Sequence, residues 1–138
     1  MGNWRETGRN LGLLVLRVGF GLGLATHGYS KLFGGHIADF AKFAVEPMGF
    51  PMPLVFAYFS GLAEFAGGLF VAVGLLSRLT TVPVIINLGV ALAMVHLKHG
   101  DPFQKMELAV VYLACAVTVL LTGPGAISID RLIFGKKK

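Results

Sequence analysis

Ionisable side chains stand inside some of the most apolar stretches of this chain. Arg17, His27 and Lys31 lie within LGLLVLRVGFGLGLATHGYSKLF, and Glu64 within LVFAYFSGLAEFAGGLFVAVGLL. His96 and His99 close a third apolar stretch, and Glu107 opens a fourth. Histidine titrates near neutral pH and a carboxyl group removed from water retains its proton more readily, so the set suits proton handling. A lysine cation beside neutral imidazoles suits holding an anion or a quinone carbonyl. Metal ligation by His27, His96 and His99 with Glu107 is compatible with these residue types. So is bis-histidine haem ligation by His27 and His96. No short histidine-plus-carboxylate motif selects either. The alternative is structural: Glu64 paired with Arg17 or Lys31 to fix helix packing, and His96 and His99 as parts of a polar turn.

Such residues need a scaffold that carries them through an apolar medium. Of 138 residues, 55% are hydrophobic and only 14% charged, where a soluble domain has about 25% charged. Four apolar windows, about 10–33, 54–76, 80–98 and 105–122, approach the roughly 20 residues that cross a bilayer. None shows the polar face of a soluble amphipathic helix. The expected fold is an all-α membrane protein, a single domain over 1–138 forming a four-transmembrane-helix bundle. Arg17 interrupts the first window, which therefore reads as a retained helix and not as a cleaved signal peptide. Between the first two spans, Ile37, Phe40, Ala41 and Ala44 recur at helical spacing, with His36, Asp39, Lys42 and Glu46 mostly opposite. That pattern predicts a short interfacial helix. Gly19 and Gly23 have the spacing at which membrane helices pack closely, and Pro83 is expected in the tolerant first turn of the third helix.

Four spans put both termini on one side. That side carries Arg5, Arg9, Arg78, Arg131 and the lysines of the basic tail 131–138; the other carries Lys42, Lys98 and Lys105. The excess predicts both termini in the cytoplasm of a multi-pass plasma-membrane protein. Topology and anionic lipid then account for the formal charge of +5, and no basic stripe on a soluble face supports nucleic-acid binding. The single cysteine, Cys115, makes no intramolecular disulfide and reads as packing within the fourth span.

With this orientation the ionisable groups gather. Arg17, Leu24, His27 and Lys31 are spaced by seven, three and four, which reads as one face of a helix turned into the bundle. Glu64 is about ten residues from the outer end of its span, or ~15 Å deep. His27, Lys31, His96, His99 and Glu107 fall in the outer half above it, and Arg17 below. The expectation is an ionisable cavity opening outward, with Tyr29, Phe33, Phe59 and Tyr112 as aromatic walls or as core packing.

The same residues carry a resemblance. Arg17-Val18-Gly19 followed by His27-Gly28-Tyr29-Ser30-Lys31-Leu32-Phe33 resembles the opening signature of the DoxX family. Glu64 with Gly67-Gly68, then Gly74-Leu75-Leu76-Ser77-Arg78-Leu79, is similar to its middle, and Gly123-Pro124-Gly125 through Ser128 and Asp130 to its close. The likeness covers about 11–132. It implies a bacterial or archaeal inner-membrane four-helix bundle linked to terminal quinol oxidases, thiosulfate:quinone oxidoreductases and related complexes. The implied function is a subunit or auxiliary of quinone-linked oxidoreduction, sulfur compounds among its substrates, in a homo- or hetero-oligomer with a redox partner protein. On that reading His27, Lys31 and Glu64 handle protons and charge. Arg17, Tyr29, His96 and Glu107 contact a quinone headgroup or small sulfur substrate. Two other classes fit the same residues: a non-catalytic scaffold for a redox partner, and a small-molecule or proton carrier.

Overall fold

The computed structural model describes residues 3–135, so Lys136, Lys137 and Lys138 of the basic tail lie outside the described residues. Asn3 accepts the Arg5 N–H through its side chain and starts α1, Trp4–Phe33. At about 1.5 Å per residue its 30 residues run ~45 Å. That exceeds a bilayer core of about 30 Å, so the first turns, with Glu6 and Arg9, extend beyond it. The connection contains α2, Ile37–Phe40, prolonged by a π-helical stretch Ala41–Val45 and a 3-10 turn Glu46–Met48. This is the expected short helix. Ala41 and Val45 bury against Ala57, with Ile37, Phe40 and Phe50 around them.

Pro53 opens α3, Pro53–Val73, at the position where its missing N–H costs no helical bond. Gly74, at φ 74°, takes the left-handed conformation that ends a helix, and the Leu75 N–H donates back to the Phe70 carbonyl. The second span therefore stops three residues short of the expected 76. The third begins earlier than expected, as α4, Ser77–Val90, and continues as a π-helix through Ala91–Leu97. Pro83 consequently lies inside α4 and not in its first turn. The fourth span is α5, Phe103–Thr122, and a short α6, Ile129–Phe134, follows. Four helices are long and apolar enough to cross a membrane, and no strand occurs among the described residues.

Adjacent spans run antiparallel. Where lipid surrounds a bundle, close packing and hydrogen bonds, more than burial from water, hold helices together. α1 and α3 touch backbone to backbone: a Cβ on Gly21 would stand 2.5 Å from the Gly68 carbonyl oxygen, and one on Gly28 2.6 Å from that of Gly61. The expected Gly19–Gly23 pair does not form this seam. Gly19 has nothing within 4 Å, and Gly23 faces the Tyr112 hydroxyl on α5. The seam follows the face that holds Leu24 and Ala25, which Gly21 and Gly28 share at a two-turn spacing. Phe20, Leu24, Val71, Val84, Leu88, Ala116 and Val119 join the four spans in one core, with Cys115 packed against it.

Candidate functional site

Lys31, in the last turn of α1, reaches across the glycine seam to α3. Its Nζ donates to Glu64 Oε1 at 2.7 Å and to Ser60 Oγ at 3.2 Å, and lies 4.6 Å from the centre of the Phe40 ring. Asn87 Nδ2, from α4, donates to the same Glu64 oxygen at 3.0 Å. Glu64 is 6% exposed, and its Oε2 is buried without a hydrogen-bond partner. Three elements thus meet on one carboxylate. Removing one member of a buried pair typically costs about 3–5 kcal/mol, because the other charge stays behind. An ammonium has three donors; with two directed at Glu64 and Ser60, one N–H is left for whatever occupies the space beside it.

That space is a cavity of about 770 Å³ between α3 and α4. Lys31, Ser60, Asn87 and His96 supply its polar lining, and Phe40, Phe50, Phe56, Phe59 and Phe70 its aromatic walls. Both π-helical stretches border it, through Ala44 and Val45 on one side and Ala91, Val95 and His96 on the other. π-helical turns in α-helices are rare and recur at functional sites. The connection from α2 to Met48 borders the end of the cavity remote from the termini, through Phe40, Ala44, Val45 and Met48, with Phe50 following.

His96 Nδ1 lies 2.9 Å from Asp101 Oδ2, which leaves Nε2 as the ring nitrogen able to serve a ligand. Asp101, in the turn between spans, has its carboxyl held below the usual range, first by the His96 hydrogen bond and then by the nearby Lys105 and histidine charges. His99 instead turns Nδ1 to the Val95 carbonyl. Among the described residues no three His, Cys, Asp or Glu side chains converge as metal ligands.

Other predicted residues go elsewhere. Arg17 does not reach Glu64. Only 1% exposed, it donates through Nη1 to the carbonyls of Ala72 (3.1 Å) and Val71 (3.4 Å), and through Nη2 to that of Ile127. Asp130 holds the same turn from the other side, accepting from the N–H groups of Leu76 (2.6 Å) and Ser77 (2.9 Å). Its own N–H donates to the Gly74 carbonyl at 2.8 Å. Ser128 Oγ caps α6 by accepting from Arg131. Arg17, the Gly74 turn, Ser128 and Asp130 therefore form a latch at the terminal end of the bundle.

His27 is exposed and meets Tyr112 edge-on at 6.1 Å. It is ten residues beyond Arg17, so at 100° per residue it has rotated about 80° off Arg17's face, whereas Lys31 has returned to within about 40°. Tyr29 is also exposed, its ring tilted against those of Phe33 and Phe65, and Glu107 is exposed on α5. None of the three lines the cavity. Sequence reading did not assign Asn87, Ser60 or Asp101. For Asn87 the signal was present, an amide alone in an apolar span.

The DoxX family model matches residues 12–97. The chain is 30% identical over 129 residues to "Inner membrane protein YqjF" of Escherichia coli (strain K12), across 90% of this chain and 93% of that one. It is 31% identical over 131 residues to "Putative oxidoreductase CatD" of Bacillus subtilis (strain 168), across 93% and 91% respectively. No solved structure gives a significant match.

Proposed function

The chain belongs to the DoxX family, and from that premise we propose that it serves quinone-linked oxidoreduction in the plasma membrane, as a subunit or auxiliary of a redox enzyme. The observation that carries this reading is Lys31, held by Glu64 and Ser60 at the wall of the aromatic cavity with one N–H unspent. A relative named as an oxidoreductase supports the reaction class. The apolar, aromatic walls favour a quinone over a small polar sulfur compound.

In this reading Lys31 donates to a carbonyl oxygen of the quinone. Its charge stabilises the negative charge that develops there as the partner enzyme delivers electrons. Asn87 fixes Glu64, and Glu64 fixes Lys31, so the donor is oriented before the ligand arrives. His96, anchored by Asp101, presents Nε2 to the same space. His27, Tyr29 and Glu107 have no part in this pocket, and Arg17 acts in the latch. The basic residues at the terminal end support a cytoplasmic location for both termini.

The test is purification from quinone-containing membranes, with extraction and mass analysis of bound quinone, beside quinone-dependent electron transfer in native membranes. Lys31→Met and Glu64→Gln should lose the bound quinone while the protein remains in the membrane. Full quinone occupancy and turnover in a folded Lys31→Met variant would sink the reading.

A further inference from the structure

The cavity is long as well as large. Its lining on α3 runs from Phe56 to Phe70, and on α4 from Thr80 to His96. At about 1.5 Å per residue these intervals are roughly 21 and 24 Å, most of the thickness of a bilayer core. The polar lining is confined to one half. Lys31, Ser60 and His96 stand toward the end remote from the termini, and Asn87 stands midway. Beyond Asn87 the lining is Ala66, Gly67, Phe70, Pro83, Ile86 and Thr80. The Thr80 hydroxyl is turned to the carbonyls of its own helix, at Leu76 and Ser77, so that half offers a ligand nothing to hydrogen-bond.

Small residues keep this lower half open. Gly67 lies against Val84 so closely that a Cβ would stand 2.8 Å from it, and Ala63 and Ala66 line the groove without filling it. Phe56, Phe59, Leu62, Phe70 and Ile86 are exposed along its rim, on the flank of the bundle that meets lipid. The α2 connection borders the cavity at the end remote from the termini. The way in is sideways, from the bilayer.

We propose that the α3/α4 groove is a lateral berth for a prenylated quinone, with its ring at Lys31, Asn87 and His96. The first part of its isoprenoid tail lies along Ala66, Gly67 and Phe70 before leaving into lipid. The identity of the ring rests on the function proposed above; the tail track rests on the shape and the one-sided polarity of the groove. A short water-soluble ligand would leave the apolar half empty. A plain acyl chain would leave the third N–H of Lys31 with no acceptor.

The experiment measures binding of a quinone series with no tail, then increasing numbers of prenyl units, to the full-length protein in nanodiscs. Ligands are compared at equal mole fraction in the bilayer. Affinity should rise at least tenfold over the first few prenyl units and then level off, because the tail beyond the groove meets only lipid. Ala66→Phe, and independently Ile86→Trp at the rim, should abolish this rise while tailless quinone binds as before; thermal melting confirms that each variant is folded. Lys31→Met should weaken every homologue by the same factor. Affinity indifferent to tail length, with Lys31→Met still disruptive, overturns the berth and leaves the proposed function standing. Equal binding of ringless prenyl or acyl chains, unaffected by Lys31→Met, overturns both. Cross-links from Ile86 to a second copy, with no tail-dependent binding, show the groove to be an interface and overturn the berth.

Discussion

Arg17 and Asp130 grip opposite sides of one turn. Arg17 donates to the last carbonyls of α3, at Val71 and Ala72, and Asp130 accepts from Leu76 and Ser77 as α4 begins. A cation at a helix C-terminus and a carboxylate at an N-terminus each complement the local dipole. Gly74 lies between them at φ 74°. The polar residues of the spans therefore separate into two structures with different tasks: this latch at the terminal end, and the Lys31–Glu64–Asn87 cluster beside the cavity.

Replacing Arg17 by Met should destabilise the fold by about 3 kcal/mol or more, since hydrogen bonds from a charged donor contribute roughly 1.5–3 kcal/mol each. Asp130→Ala removes a helix cap and should cost about 0.5–2 kcal/mol. Melting in detergent measures both. Quinone bound per folded molecule should stay unchanged in Asp130→Ala. A loss of bound quinone without a drop in melting temperature would contradict this division of labour.

The α1/α3 seam makes a contrasting pair of substitutions. A Cβ at Gly68 would stand 2.5 Å from the Gly21 carbonyl oxygen and 2.7 Å from the Ala25 nitrogen, both backbone atoms that cannot step aside. Gly68→Ala should therefore destabilise by about 1–3 kcal/mol or more, as overpacking does. Gly19→Ala meets open space and should be neutral or slightly stabilising through helix propensity. Equal melting temperatures for the two variants would disprove the seam.

Asp101 gives a pH dependence with a definite sign. Its folded carboxyl is depressed below the reference value of 3.8 by the hydrogen bond with His96. The contribution is thus complete above that value and is lost as pH falls through the lower folded one. The His96 ring resonances should report a fixed Nδ1 partner from neutral pH down to about 4, and Asp101→Asn should change them. Ring resonances identical in the wild type and Asp101→Asn would contradict the contact.

Orientation is checked by single cysteines in a Cys115→Ser background. Reagents that do not cross the membrane should label Lys98→Cys from outside intact cells, and Arg78→Cys only after permeabilisation. The reverse pattern would place both termini outside.

Hydropathy made the four spans legible, because a window of apolar residues needs no partner to be recognised. The helix faces were harder. The seven, three and four spacing links Arg17, Leu24, His27 and Lys31 step by step. Each step leaves a residual rotation, however, and at His27 the sum has carried the side chain out of the cluster. The seam illustrates the same limit: Gly19 and Gly23 have a familiar spacing, but α3 selects the face, and it selects Gly21 and Gly28. Opposite charges within apolar spans had two candidate pairings for Glu64. Only the three-dimensional path shows Lys31 taking it while Arg17 goes to backbone carbonyls, partners that no side-chain pattern encodes. The cavity was legible least, since it depends on two π-helical stretches and on small residues of α3, Ala63, Ala66 and Gly67, falling on the side that faces α4.

The latch has a consequence for the order in which the protein is made. Ile127 and Asp130 leave the ribosome only after all four spans have been synthesised, yet they complete the partners of Arg17 and close the turn between the second and third spans. Until then a buried guanidinium early in the chain lacks one acceptor, and the start of α4 lacks its cap. The finished bundle is fastened by a segment translated after the spans it joins, so a polypeptide stalled before Ser128 would sit in the membrane with every span present and its second hairpin still unlocked.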